Sequence, residues 1–224
     1  MPLQNRVDPF GAIHAVSERG LFTGNRGIIH DPDTKTLLRK RWTLKAWIIC
    51  VCEFRGRRRE PMGRNRPGKG GQDARAGWTE LFFLDEVTAL AAGHRPCFFC
   101  RRSRAEDYLA RFGRAFCIEA PRMPMLDARL HIERLASGGM PPMVASRDLA
   151  TLPEGAMVAA GETVFALRDG TALPWSFGGY GPAVSLNALE GPALRQLTPA
   201  TTLAVLRQGY RPAWHPSAGQ TEQA

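Results

Sequence analysis

Short apolar runs separated by turn residues fill the first half of the chain and predict β-strands. The strongest candidate spans residues 44–54 and is rich in tryptophan, isoleucine and valine. Because side chains alternate between the two faces of a strand, Cys50 and Cys52 are expected to point the same way. Shorter strand-like runs lie at residues 11–16, 27–30 and 78–83.

Capping signals in the middle of the chain predict three helices. Asp85 is expected to cap a short helix that runs to residue 92 and is ended by Gly93. Ser103 and Glu106 have capping-box spacing and predict a helix to about residue 116. A further helix is expected over residues 125–135.

The last third of the chain predicts a small antiparallel sheet followed by a helix. Asp169-Gly170 is a favourable hairpin turn between two of the strand-like runs. Thr198 is expected to cap a final helix, with Pro199 in its first turn and Gly209 after its end. The runs themselves lie at 157–160, 163–167 and 173–175.

These elements predict an α+β fold with N-terminal hairpins, a central module over 47–104, two middle helices and a small C-terminal antiparallel sheet plus helix. Pro141-Pro142 suggests a boundary. We therefore expect a strand-rich region over 1–142 and a small α+β subdomain over 143–216. Residues 217–224 are expected to form a disordered tail.

The charge balance points to a polyanionic partner. The 224 residues include 30 lysines and arginines against 21 aspartates and glutamates, a net charge of +9. Such an excess favours DNA or RNA as a partner, although a basic protein without that role is the alternative. No apolar stretch approaches the ~20 residues that span a bilayer. With no secretory pattern at the N-terminus, we expect a cytoplasmic protein that does not bind a membrane.

A Gly-, Pro- and Arg-rich segment at residues 55–77 predicts a mobile basic loop that grips phosphates. The nearby Trp42, Trp47 and Trp78 are candidates for stacking on bases, with burial in the core as the alternative. The candidate nucleic-acid-binding residues are Arg55, Arg57, Arg58, Arg59, Arg64, Arg66 and Lys69.

Four of the five cysteines form two short clusters and predict a metal site. Cys97 and Cys100 have Cys-x-x-Cys spacing, Cys50 and Cys52 lie upstream, and His94 is a fifth possible ligand. Zinc favours tetrahedral sets of cysteine and histidine, and clustered cysteines in a reducing compartment favour a metal over a disulfide. Because Cys-x-Cys on an extended strand is stiff, either both cysteines bind after a local bend, or one binds and His94 completes the set.

The segment from Phe82-Phe83 through Ala89-Leu90-Ala91-Ala92-Gly93 to Arg95-Pro96-Cys97 and Cys100-Arg101-Arg102 resembles the zinc-binding module of Ada-type DNA-repair proteins. The resemblance covers about residues 47–104, and its first half departs from the family, which has a Cys-x-x-x-Cys pair. It implies zinc held by four cysteines and contact with DNA. It also implies that Cys50, by position, accepts a methyl group from a DNA phosphotriester.

Three functions therefore stand beside one another. The leading hypothesis is a zinc-binding protein, with a mainly structural metal, that contacts nucleic acid through its basic loop. The second is an enzyme, either a methyl acceptor at Cys50 or a hydrolase using Asp127 and His131, which share a helix face at i and i+4. The third is a structural or interaction protein without a nucleic-acid role.

Overall fold

The predicted α+β class is confirmed. The computed structural model describes residues 1–70, 72–189 and 194–219. The helices are α1 (Glu86–Ala91), α2 (Arg102–Ala115), α3 (Met123–Glu133) and α4 (Ala200–Arg207). The strands up to residue 96 are β1 (Arg6–Val7), β2 (Ile13–His14), β3 (Phe22–Asn25), β4 (His30–Asp31), β5 (Thr36–Leu37), β6 (Ile48–Val51), β7 (Glu53–Phe54), β8 (Arg57–Arg58), β9 (Leu81–Phe83) and β10 (Arg95–Pro96). Those after residue 142 are β11 (Met143–Val144), β12 (Met157–Ala160), β13 (Thr163–Arg168), β14 (Thr171–Ser176), β15 (Gly179–Tyr180), β16 (Val184–Ser185) and β17 (Leu194–Gln196).

The first sheet has six strands in the order β10-β6-β3-β9-β1-β2. Most neighbours are antiparallel, but β10 pairs parallel with β6 and β1 pairs parallel with β9. The two short hairpins β4–β5 and β7–β8 lie outside it. The sheet therefore joins strands that are far apart in the chain, and β10 occupies one edge.

The second sheet has seven strands, runs β11-β17-β12-β13-β14-β15, and has β16 paired to β14. All of these pairings are antiparallel. The hairpin predicted at Asp169-Gly170 is confirmed, since Arg168 lies opposite Thr171. Both turn residues have positive φ, 48° for Asp169 and 71° for Gly170, as the tightest hairpin turns require.

The predicted ends of α1 are confirmed. Asp85 is its N-cap, and the carboxylate accepts a hydrogen bond from the Thr88 backbone N–H at 2.8 Å. Gly93 follows with φ of 79°, in the left-handed region where a side chain would be strained. A Cβ there would also lie 2.3 Å from Cγ of Arg134, so only glycine fits.

The capping box predicted at Ser103 and Glu106 is wrong. Helix α2 begins at Arg102, and its N-cap is Arg101, two residues before Ser103; the Arg101 side chain makes no capping bond. Arg101 is held instead by an ion pair with Glu86, at 2.9 Å. A tertiary contact fixes this helix start, which local spacing does not reveal.

Helix α3 begins at Met123, two residues before the predicted start, because Pro124 fits the first turn of a helix. The N-cap predicted for the last helix is also wrong, since α4 is preceded by Pro199 as its cap residue. Thr198 Oγ1 instead accepts a hydrogen bond from the Met157 N–H at 2.8 Å. The backbone amide of Thr201 donates to Glu133 at 2.8 Å, so a side chain from α3 serves the start of α4.

Two buried carboxylates at the start of α1 hold the C-terminal segment. Glu86 accepts hydrogen bonds from the Tyr210 hydroxyl at 2.7 Å and the Ala213 N–H at 2.9 Å. Asp85 accepts from the Tyr180 hydroxyl at 2.8 Å and the His215 N–H at 3.0 Å. The segment around 210–215 is therefore tied to a helix more than 120 residues earlier.

The strands of the first sheet all lie before residue 142 and those of the second sheet all lie after it, and the division into two regions there stays a prediction. One cluster of buried side chains contains Phe83 of the first sheet, Tyr108 of α2, Leu130 of α3 and Val158 of the second sheet. Pro216–Gly219 forms a short 3-10 helix, and residues 220–224 of the predicted tail lie outside the described residues. Among the described helices, none has the length and apolar character needed to cross a membrane.

We expect Glu86→Ala to lower the free energy of unfolding by about 3–5 kcal/mol, because the substitution leaves buried Arg101 without its carboxylate. Urea unfolding followed by circular dichroism measures the change. Glu106→Ala is the control, since its pair with Arg102 is exposed and should matter by less than about 0.5 kcal/mol. Equal effects of the two substitutions would contradict the assigned role of Glu86.

Candidate metal centre

The parallel pairing of β6 with β10 brings the two cysteine clusters together. Arg95 lies opposite Ile48, and Pro96 lies opposite Ile49. The ladder continues by one bond, because the Cys97 N–H donates to the Ile49 carbonyl at 3.0 Å. Cys50 on β6 and Cys97 after β10 therefore lie side by side, although 47 residues separate them in the chain.

A tight turn at 97–101 returns Cys100 toward Cys97. The Arg101 N–H donates to the Cys97 carbonyl at 3.0 Å, and the Phe99 N–H donates to Cys97 Sγ at 3.3 Å. As a result, the sulfurs of Cys50, Cys97 and Cys100 all lie within 4.8 Å of one another. A search of the described residues for three or more histidine, cysteine or acidic side chains with ligand atoms this close finds these three cysteines.

The three sulfur ligands suit a metal ion that prefers thiolate ligands. Zn–S bonds of about 2.3 Å in a tetrahedron place the sulfurs about 3.8 Å apart, so the cluster needs little movement to enclose one ion. Three thiolates favour zinc, copper(I) or an iron–sulfur group over magnesium or calcium. The chain thus offers three ligands for one such ion.

The three thiols of the cluster hold their protons unequally. Hydrogen bonds from Cys100 and then from Cys50 lower the pKa of Cys97. The same kind of contact, from Cys100 and then Cys97, raises the pKa of Cys50. The hydrogen bonds among the three sulfurs thus favour a thiolate at Cys97 over one at Cys50.

Cys52 and His94 lie outside the three-cysteine cluster. The strand expected over 44–54 ends at Val51 and bends at Cys52, so Cys50 and Cys52 do not share one continuous strand face. The Cys52 thiol instead donates to the Leu21 carbonyl at 3.5 Å.

His94 is part of a buried stack of rings and guanidiniums. Its Nε2 accepts a hydrogen bond from Arg26 Nε at 3.2 Å, and its ring packs on Phe83 with centroids 4.6 Å apart. Burial, followed by the charges of Arg26 and Arg134, lowers the pKa of His94 well below its usual value. These contacts are those of a neutral core histidine.

Trp47 lies at the centre of that stack. The guanidinium carbons of Arg26 and Arg134 lie 4.0 Å and 4.4 Å from the indole ring centroid. Trp47 is fully buried, and Trp42 packs edge-on against His131 at 4.6 Å. Trp78 carries the Arg59 guanidinium at 4.2 Å. Of the three predicted stacking tryptophans, the fully buried Trp47 is inaccessible to a base.

A cavity of about 1190 Å³ opens beside the cysteine cluster, and all three of its cysteines line the wall. Phe54, Trp78, Phe82 and Phe99 contribute aromatic surface to it. We call it the arginine-lined cavity, because its walls also include Arg6, Arg19, Arg57, Arg58 and Arg59. The basic run in the sequence indicated Arg57, Arg58 and Arg59, whereas Arg6 and Arg19 stand outside any such run and were missed.

The basic segment, which was expected to be a mobile loop, contains a short strand and a backbone bridge. Arg57 and Arg58 form strand β8, and the backbones of Arg66 and Arg75 bridge at 2.8–3.0 Å. Arg64 pairs with Asp33, while Arg55 lies over Phe54 at 5.2 Å. Arg64, Arg66, Lys69 and Arg55 are not among the lining residues of the arginine-lined cavity.

Asp127 and His131 have separate partners. Arg95 donates to both carboxylate oxygens of Asp127, from Nε at 3.0 Å and Nη2 at 2.9 Å. This two-pronged, buried pair fastens α3 to β10 and uses the oxygens that would orient a histidine base. The contacts of Asp127 are those of a structural residue, and the shared helix face in the sequence gave no sign of its pairing with Arg95.

Comparison of the chain with models of known protein families, with curated proteins and with solved structures gave no match. What this protein does is therefore inferred from its own residues.

We expect one metal ion per chain, and we expect it to be lost from Cys50→Ser, Cys97→Ser and Cys100→Ser, because each removes one of three close thiolates. Elemental analysis by mass spectrometry after gel filtration measures the ratio. Cys52→Ser and Cys117→Ser are matched controls that should keep the metal. A full complement of metal in the Cys97 variant would contradict this site.

Proposed function

We propose that this protein binds zinc through Cys50, Cys97 and Cys100, and that it contacts nucleic acid through the arginine-lined cavity next to the metal. The observation that carries the proposal is the shared wall: the three thiols and five arginines line one cavity. The zinc would hold β6 and the turn at 97–101 together and so fix that wall. A reducing compartment such as the cytoplasm would keep the thiols available.

The charges of the cavity support an anionic occupant. Arg19, Arg57 and Arg58 form no ion pair with any carboxylate in the described parts of the chain. The carboxylate on the wall, Glu80, is occupied by Arg59 at 2.7 Å and by the Met62 N–H at 2.9 Å. Guanidiniums left without a carboxylate partner are suited to phosphate groups.

The resemblance to Ada-type zinc modules supports the same proposal. Strand β9, helix α1 and the Cys97-x-x-Cys100 turn follow one another here in the order that the family has. The family's zinc modules contact DNA, which agrees in kind with the charge of the cavity.

We expect binding to DNA or RNA oligonucleotides to weaken steeply with salt, because each neutralised phosphate releases counterions. Arg57→Ala with Arg58→Ala should reduce the slope of log K against log salt by roughly 1–2. Fluorescence anisotropy over a salt series measures both quantities. Arg114→Ala with Arg122→Ala is the control, since both side chains are exposed and outside the cavity wall. Absence of binding at low salt would overturn the nucleic-acid role and leave a protein whose metal supports the fold alone.

The second candidate function is methyl transfer to Cys50, which is favoured by its place in the cysteine cluster and on the cavity wall. In this reaction the thiolate sulfur forms an S–C bond as the methyl C–O bond of a phosphotriester breaks, and a phosphodiester leaves.

Peptide mass spectrometry after incubation with DNA that carries a methyl phosphotriester tests the transfer. A gain of one methyl group on Cys50, and none on Cys117, is expected if the transfer occurs. An unmodified Cys50 excludes this candidate without affecting the first.

A further inference from the structure

Phe99 is a large apolar side chain that is exposed to solvent beside the three-cysteine cluster. It lies inside the Cys97-x-x-Cys100 turn, and 75% of it is exposed. Its backbone is fixed by the bond from its N–H to Cys97 Sγ. Exposing an aromatic ring to water is unfavourable, and this ring contributes nothing to core packing in return, so its position indicates a role in binding.

Phe54 forms a second ring of the same surface. The centroids of Phe54 and Phe99 lie 5.2 Å apart with the planes tilted by 57°, and both side chains line the arginine-lined cavity. Phe54 belongs to the β7–β8 hairpin, whose other strand is Arg57–Arg58. The cavity wall thus combines the rings of Phe54 and Phe99 with Arg57 and Arg58, two arginines that lack a carboxylate partner among the described residues.

We propose that the occupant of the arginine-lined cavity is an unpaired stretch of nucleic acid, with a base stacked on Phe99 and Phe54 and phosphates on Arg57 and Arg58. This proposal rests on the proposed function and names its substrate class. Bases in a duplex stack on one another and offer no free face, whereas the bases of a single strand stack readily on aromatic side chains.

The size and lining of the cavity agree with this occupant. Its volume of about 1190 Å³ exceeds the roughly 300–1,000 Å³ of pockets for single small molecules, so a strand of several groups can enter. Arg6 and Arg58 line the same cavity as the two rings. The cavity that holds the two rings therefore also offers positive charge to the phosphates on either side of a stacked base.

The test compares labelled single-stranded DNA, single-stranded RNA and duplex DNA of one mixed sequence, by anisotropy with the zinc-loaded protein. We expect tighter binding of the single strands. Phe99→Ala should weaken that binding by roughly 5- to 150-fold without changing the salt slope, while Phe99→Tyr retains it. Ile132→Ala is the matched control, because Ile132 is 76% exposed but lies on α3, off the cavity wall.

The outcomes separate this inference from the function on which it rests. Equal affinity for duplex and single strands, or an unchanged affinity in Phe99→Ala, overturns the unpaired-strand inference while nucleic-acid binding stands. No binding of any probe overturns both. Metal content and circular dichroism of Phe99→Ala are measured first, and if they differ from wild type the comparison is made with Phe99→Tyr against Phe99→Leu. The affinities for single-stranded DNA and single-stranded RNA then show which of the two nucleic acids is the preferred occupant.

Discussion

The parallel pairing of β6 with β10 is the constraint on which the candidate site depends. Two residue pairs and one further backbone bond, from Cys97 to Ile49, set the distance between cysteines that are far apart in the chain. Parallel strands require a long connection, and here that connection contains the β7–β8 hairpin, β9 and α1. The same register that joins the thiols therefore also places the arginines of the intervening segment near them.

Some arginines of the chain are buried and stabilise the fold, whereas others line the cavity. Arg95 and Arg101 are buried and paired with Asp127 and Glu86, where they fasten helices. Arg26 and Arg134 are buried and pair with no carboxylate of residues 1–70, 72–189 or 194–219; they are bound to the carbonyls of Gly11 and Gly93 and to the face of Trp47. The net charge of +9 is therefore larger than the positive charge that a partner can contact, because some of these arginines are buried. The arginines that line the cavity are a smaller set of five.

Local signals in the sequence predicted the features that local physics decides. The N-cap at Asp85, the glycine stop at Gly93 and the hairpin at Asp169-Gly170 depend on a few neighbouring residues, and the structure has them. The starts of α2 and α4 were missed, because a distant Glu86 and a distant Glu133 decide them. For the site, spacing identified the cysteines as a group. Two features of the site could not be predicted: the bend that separates Cys52 from Cys50, and the position of Arg6 and Arg19 on the cavity wall. Both depend on strand pairings between residues that are far apart in the sequence.

The carboxylates at the start of α1 have a consequence for how the molecule holds together. Asp85 and Glu86 accept hydrogen bonds from Tyr180, Tyr210 and two later backbone amides, and Glu133 serves the first turn of α4. Each half of the chain thus supplies groups that the other half needs to keep charge and backbone satisfied. A fragment ending near residue 142 would expose these acids to water without partners, and one beginning there would lack a helix cap. Buried side chains of the two sheets share one core cluster, and these hydrogen bonds join the same two parts of the chain.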